Sequence, residues 1–132
     1  MRLRLVLLIC ALGPLGDYDV RAQVPQDPVL VASRLLVRGM TRSFLGDLEG
    51  ATQLFDQALR LQPEDAAIHG ALAGTYVKLG DLAQATFYAE RALQLAPDRA
   101  ENITLVAELR EATGDGVGSL EAYDQLVALK PL

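Results

Sequence analysis

Side chains able to do covalent or metal chemistry are scarce in this 132-residue chain. There is one histidine, His69, and one cysteine, Cys10. A nucleophile–base pair or a zinc site needs several such groups within reach of one another, often at short fixed spacings. No such cluster is present, and no glycine-rich phosphate loop follows a strand-like run. What remains is carboxylate. Glu101, Glu108 and Glu111 are spaced by seven and three, which brings them to one face of a helix. Carboxylates crowded in this way can raise one another's pKa and act as acid and base. A solvated acidic face is the simpler reading, and His69 reads as a partly buried helix residue. No catalytic residue, cofactor or metal ligand is assigned, and an enzyme built on the acidic cluster is the least favoured function.

Charge offers a different chemistry, that of recognition. The formal net charge is −5, and of the twelve basic residues only Lys78 and Lys130 are lysines. A phosphate-binding surface needs clustered cations and usually a basic balance, so nucleic acid is not an expected partner. Nor does the pattern suggest a small-molecule substrate. Arg34, Arg38 and Arg42 fall at i, i+4 and i+8, a basic stripe on one helix. Residues 100–132 carry six acids against two bases. Solubility accounts for such a surface; the sharper expectation is that the stripe meets an acidic partner or the acidic end of another copy.

These residues sit on a repeating frame centred on residues 63–97. Ile68, Leu72, Tyr76 and Leu79 recur at helical spacing. Gly80-Asp81 then breaks the helix, because glycine takes left-handed angles cheaply and aspartate caps the next helix. Leu82, Ala85, Ala89, Ala92 and Leu93 mark that second helix, whose alanines permit close packing. Pro63, Pro97 and Pro131 are each 34 residues apart, and Gly46-Asp47, Gly80-Asp81 and Gly114-Asp115 keep the same phase. The reading is all-α: three antiparallel helix hairpins, at about 32–65, 66–99 and 100–132. Aromatics are few and tryptophan is absent, which suits a stack in which each hairpin buries its face on the next.

Residues 1–22 read as a signal peptide. Arg2 and Arg4 precede an apolar run, Leu5 to Leu12, too short to span a bilayer, and Val20-Arg21-Ala22 offers a cut before Gln23. The expectation is an exported protein, periplasmic or secreted, with a signal-anchored form as the alternative. Removal of this segment takes Cys10 with it. Residues 23–31 form a linker leading into a helix, with Asp27-Pro28 a fitting cap and first helical position.

Over residues 32–132 the chain resembles tetratricopeptide repeat proteins. The central unit carries Leu72, Ala73, Tyr76, Ala85, Ala92 and Pro97. The first carries Leu35, Gly39, Ala51, Phe55, Ala58 and Pro63, and the third Ile103, Val106, Ala107, Ser119, Tyr123 and Pro131. Departures are Arg38, Arg42 and Arg110 in apolar positions, His69 for the leading aromatic, Ala89 for phenylalanine and Leu126 for a small residue. Arginines in the outer hairpins suggest positions that no neighbour fully covers.

The resemblance implies a right-handed superhelix with a concave groove, lined by the first helix of each hairpin, that holds a segment of a partner protein. By phase the groove residues are Leu36, Met40 and Phe44, with Ser33 and Ser43, in the first hairpin. Gly70, Gly74, Val77 and Lys78, with Ala67, occupy it in the second. Glu101, Glu108 and Glu111, with Thr104 and Ala112, complete the third. Some family members grip a terminal carboxylate with lysine and asparagine here; only Lys78 matches such a set. The groove is therefore expected to be apolar at one end, small-sided in the middle and acidic at the other. Its ligand would have an apolar anchor and a basic end.

The expected role is an adaptor or scaffold in an envelope or secretory assembly. The alternatives are an oligomerisation module working through the last helix, and a fragment of a larger repeat protein. Leu126 and Leu129 lie on that helix with no further hairpin after them, so a partner, a second copy, missing chain or the N-terminal segment would have to cover them.

Overall fold

The computed structural model describes residues 27–129. Six helices are present among them and no strand: α1 (Pro28–Phe44), α2 (Leu48–Leu61), α3 (Ala66–Leu79), α4 (Leu82–Leu95), α5 (Ala100–Ala112) and α6 (Gly116–Leu129). The signal-peptide reading and Pro131 lie outside the described residues.

Local chemistry explains the breaks. Gly46, Gly80 and Gly114 hold φ of 87°, 79° and 86°, the left-handed region that ends a helix at little steric cost to glycine. The aspartate after each glycine then acts on both sides of the turn. Its backbone N–H donates to a carbonyl five residues back: Asp47 to Arg42 at 3.0 Å, Asp81 to Tyr76 at 3.0 Å and Asp115 to Arg110 at 2.8 Å. Its side chain accepts from the next helix: Gly50 N–H at 3.0 Å, Gln84 N–H at 3.0 Å and Gly118 N–H at 2.9 Å. One dipeptide thus closes one helix and starts the next. Asp65 caps α3 by accepting from Ala67 N–H at 2.8 Å, whereas Arg99, at the same phase before α5, makes no side-chain cap.

α1 is a turn longer than its counterparts. Asp27 accepts from Val29 N–H at 2.9 Å and Pro28 supplies a preset φ, so the helix starts four residues before the phase of α3 would place it. The helix thus begins at the Asp27-Pro28 entry that the sequence marks.

Within each hairpin the helices pair antiparallel, and the hairpins stack: α3 packs on α2 and α1, and α5 packs on α4. The contacts are made by small residues. Ala51, Ala58, Ala85, Ala89 and Ala92 are all fully buried, letting axes approach without a wide core. In the first hairpin Gly39 receives the ring of Phe55, and a Cβ on Gly39 would overlap that ring. The second hairpin has Ala73 and Ala89 at these phases. It carries its aromatic mass at nearby positions, where Tyr76 and Tyr88 stack with centroids 5.6 Å apart and planes 4° apart. Both tyrosines pack against two neighbouring apolar clusters and so join the hairpins' cores.

The arginines divide differently from the expected stripe. Arg38 is exposed. Arg42, however, pairs with Asp47 at 3.0 Å, and Arg110 donates to the Gly118 carbonyl at 3.1 Å. Both reach across their own Gly-Asp turn, and Arg42 stays exposed there, its side chain 48% accessible. Space decides this: the first and third hairpins have Gly50 and Gly118 beside the arginine, where a Cβ would crowd the turn. The second has Tyr76 and Gln84 at the same phases.

Candidate functional site

α1, α3 and α5 are the first helices of the three hairpins, and each presents one side to a shared concave face. Two clefts repeat along it at the 34-residue phase. The first, of about 330 Å³, lies between α1 and α3 and is walled by Met40, Phe44, Ala71, Gly74 and Lys78 over the buried Phe55 ring. The second, of about 380 Å³, lies between α3 and α5, with Gly74, Val77, Lys78, Leu105, Glu108 and Ala112 on its walls. A third cleft, of about 240 Å³, connects all three helices through Leu36, Met40, Gly70, Glu101 and Leu105.

Nine of the ten residues expected on the groove line one of these clefts: Leu36, Met40, Phe44, Gly70, Gly74, Val77, Lys78, Glu101 and Glu108. Glu111 is exposed but lines none of them. Among the supporting positions, Ser43 is buried, and Ser33 lies in a separate depression with Arg34, Val37 and Arg38 at the outer edge of α1. α1 carries residues at this phase onto its outer edge because no hairpin precedes it among the described residues.

The face changes character along its length. Met40 and Phe44 leave more than half of their surface open, 55% and 86%. The middle is bare: a Cβ on Gly74 would meet nothing within 4 Å, and one on Gly70 only the Asn102 amide oxygen at 3.6 Å. At the far end, Glu108 has no ion pair among the described residues, and Glu101 is 3.9 Å from Arg99, with both side chains largely exposed. Lys78 is not a free cation. Its ammonium donates to the Ser43 hydroxyl at 3.2 Å and to the Ser43 carbonyl at 3.4 Å.

His69 is away from this face. It is buried, its ring 5.9 Å from that of Tyr88, and its Nε2 lies 2.9 Å from the Pro63 carbonyl, which makes Nε2–H the donor. Nδ1 is left without a hydrogen-bond partner. The ring therefore fills a hairpin position and pins the α2–α3 turn. No group of three metal-ligating side chains exists among the described residues, and no described helix is long and apolar enough to cross a membrane.

Several contributors escaped the sequence reading, among them Arg99 on the third cleft, Leu105 and Asn102. Leu105 lines the clefts on both sides of α5. Its signal is a leucine at the phase where the second hairpin has Ala71 and the first Val37. Asn102 is buried and donates to the carbonyls of Ala92 at 3.0 Å and Ala96 at 3.2 Å, satisfying the C-terminal end of α4. A lone asparagine gives no such hint in a sequence.

A family model described as tetratricopeptide repeat matches residues 45–109. Comparison with curated proteins finds no match. Among solved structures, the chain is similar to the first TPR of Spaghetti (RPAP3) bound to the HSP90 peptide SRMEEVD, with a TM-score of 0.74 and 17% identity over 78% of this chain and 82% of that one. It is also similar to the TPR2B domain of yeast Sti1 in complex with pHsp70, at a TM-score of 0.72 and 19% identity over 76% and 80% of the two chains. The Sgt2 TPR domain from Aspergillus fumigatus gives 0.70 and 22% over 74% and 65%. At these identities the likeness is one of fold. Three hairpins in a 34-residue phase, closed by the same Gly-Asp turn and matched by that family model, place this chain in the tetratricopeptide repeat family.

Proposed function

We propose that this chain is a non-catalytic interaction module whose concave face holds a segment of a partner protein. One observation carries the reading. Gly70 and Gly74 lie inside α3, each costs the helix about 1 kcal/mol relative to alanine, and neither has a positive φ or a neighbour that demands the missing Cβ. The fold gains nothing from them, but a ligand backbone approaching α3 would. The similarity to domains solved with HSP90 and Hsp70 segments supports a peptide-like ligand.

The chemistry of the face favours a different peptide from the acidic SRMEEVD. Lys78 is engaged by Ser43, and the exposed charges at the far end are Glu108, without an ion pair among the described residues, and Glu101, with Arg99 at 3.9 Å from it. The segment proposed here has an apolar side chain for the Met40–Phe44 cleft and a Lys or Arg for the glutamates. Met40→Glu with Phe44→Glu, both largely exposed, tests this in a tagged pull-down. The partner should be lost while helical content and melting are retained; equal recovery of the partner by the folded variant would overturn the reading.

We further propose that the protein works after export, as an adaptor or scaffold in an envelope or secretory assembly. Support comes from Arg2, Arg4, the apolar run to Leu12 and the small residues before Gln23. Intact mass of the protein from its native host should correspond to a chain starting at Gln23; recovery from the cytoplasm with Met1 retained would contradict export.

A second reading, self-association, is favoured by the ends of the stack. Val117, Leu120 and Val127 on α6 are 72%, 67% and 72% exposed, and apolar side chains gathered on one element mark an interaction surface.

A further inference from the structure

We propose that copies of this chain dock head to tail, the α1 edge of one copy entering the α5–α6 end of another as the next helix of the stack. This rests on the self-association reading and specifies its geometry. The repeat phase supplies the argument. At the junction of the second and third hairpins, α5 brings Glu101, Asn102 and Leu105 to a cleft walled on the other side by Ala66, Ala67, Gly70 and Ala71. Two repeats earlier, those incoming positions are Ser33, Arg34 and Val37. With Arg38, these residues line the depression on the outer edge of α1. One repeat later, the receiving positions are Ala100, Glu101, Thr104 and Leu105. With Glu108 and Leu126, they line an open cleft of about 490 Å³ at the other end of the molecule. The two depressions are thus the two halves of the junction already formed twice inside the chain.

The side chains suit that pairing. Asn102 donates to the Ala92 carbonyl at the end of α4. In phase, Arg34 donates to the Leu126 carbonyl near the end of α6, where a helix presents unsatisfied carbonyls and a negative dipole end. Leu126 stands where the internal junctions have Ala58 and Ala92. It holds the incoming helix further out, and the longer reach of arginine over asparagine spans that gap. Val37, 62% exposed, takes the place of Leu105, and Val127, 72% exposed, that of Leu93. Within the chain, Leu93 and Leu105 pack against the same apolar cluster. Charge agrees: Arg34 and Arg38 make no ion pair among the described residues, and they would face an end carrying Glu101, Glu108, Glu121 and Asp124. Such an interface is heterologous and grows until it closes as a ring or is capped.

The test uses Val37→Glu, which blocks the head, and Val127→Glu, which blocks the tail. Both sites are exposed, so neither substitution disturbs a core. Mass is followed by sedimentation equilibrium over rising concentration of the purified protein. The native protein should show a rising mass, weakened at least about tenfold in apparent affinity between low salt and about 0.5 M salt, because exposed charge is screened. Each variant alone should stay monomeric, and their equimolar mixture should form a dimer and nothing larger, one open head meeting one open tail. A variant that still self-associates alone, or a mixture that stays monomeric, would overturn head-to-tail docking even if the native protein associates. A native protein that is monomeric throughout would overturn self-association itself.

Discussion

The Lys78 ammonium on α3 donates to the Ser43 hydroxyl on α1 at 3.2 Å, and the Thr75 hydroxyl, one turn earlier on α3, approaches the same oxygen at 3.3 Å. The single Thr75 hydroxyl proton goes to the Ala71 carbonyl at 2.8 Å, so the Ser43 hydroxyl donates to Thr75 Oγ1 while it accepts from the lysine, beside the C-terminal end of α1. The contact ties the first junction together at the edge of the groove and neutralises part of that helix end. Ser43→Ala should therefore lower unfolding stability by about 1 kcal/mol, since it removes the hydroxyl's contacts to Lys78 and Thr75 while Thr75 keeps its bond to the Ala71 carbonyl. Urea unfolding checks this; no change in midpoint would mean the contact adds nothing to the junction.

Two glycines on first helices should respond in opposite directions to the same substitution. Gly74→Ala adds a methyl group to open space and should stabilise the protein by about 1 kcal/mol through helix propensity. Gly39→Ala drives a methyl group into the Phe55 ring and should cost about 1–3 kcal/mol by overpacking. Gly74→Ala should at the same time weaken partner binding, because it narrows the bare strip of the groove. Denaturant melts of the two variants, with binding measured on the first, separate a glycine kept for the fold from one kept for a ligand.

Alkaline pH should loosen the second hairpin. Burial first, then the negative charge of Asp56, hold the phenols of Tyr76 and Tyr88 above the ordinary value of 10.0, with Asp81 adding to the effect at Tyr76 and the Tyr76 phenol at Tyr88. The folded state keeps these protons to higher pH than the unfolded chain does. Their contribution is therefore fully present below pH 10 and is lost as pH rises through the folded values. Melting temperature should fall above about pH 10, and Tyr76→Phe with Tyr88→Phe should flatten that fall. An unchanged alkaline slope in the double variant would assign it to other groups.

Much of this fold is legible in the sequence because its signals are local. A Gly-Asp pair states its own left-handed angle and its own cap, and three in phase state the stack. Positions on the groove come from the same phase, which is why Met40, Gly74 and Glu108 fall on one face. Features that depend on a partner brought from elsewhere are not legible. Arg42 reads as part of a stripe until the turn places Asp47 within 3.0 Å, and Lys78 reads only as a groove residue until α1 places Ser43 beside its ammonium. Leu105 went unassigned because it lies between the groove phase and the core phase and serves both.

The central claim is that the concave face binds a segment with an apolar anchor and a basic end. The most direct measurement selects peptides from a random displayed library on the native protein. The dissociation constants of the enriched peptides are then compared for the native protein and for Met40→Glu with Phe44→Glu. The expected result is enrichment of sequences pairing a large apolar residue with Lys or Arg. Their affinity should fall at least about tenfold in the variant, a loss of about 1.4 kcal/mol, with melting unchanged. Enrichment of acidic peptides, or equal affinity for both proteins, would contradict the account.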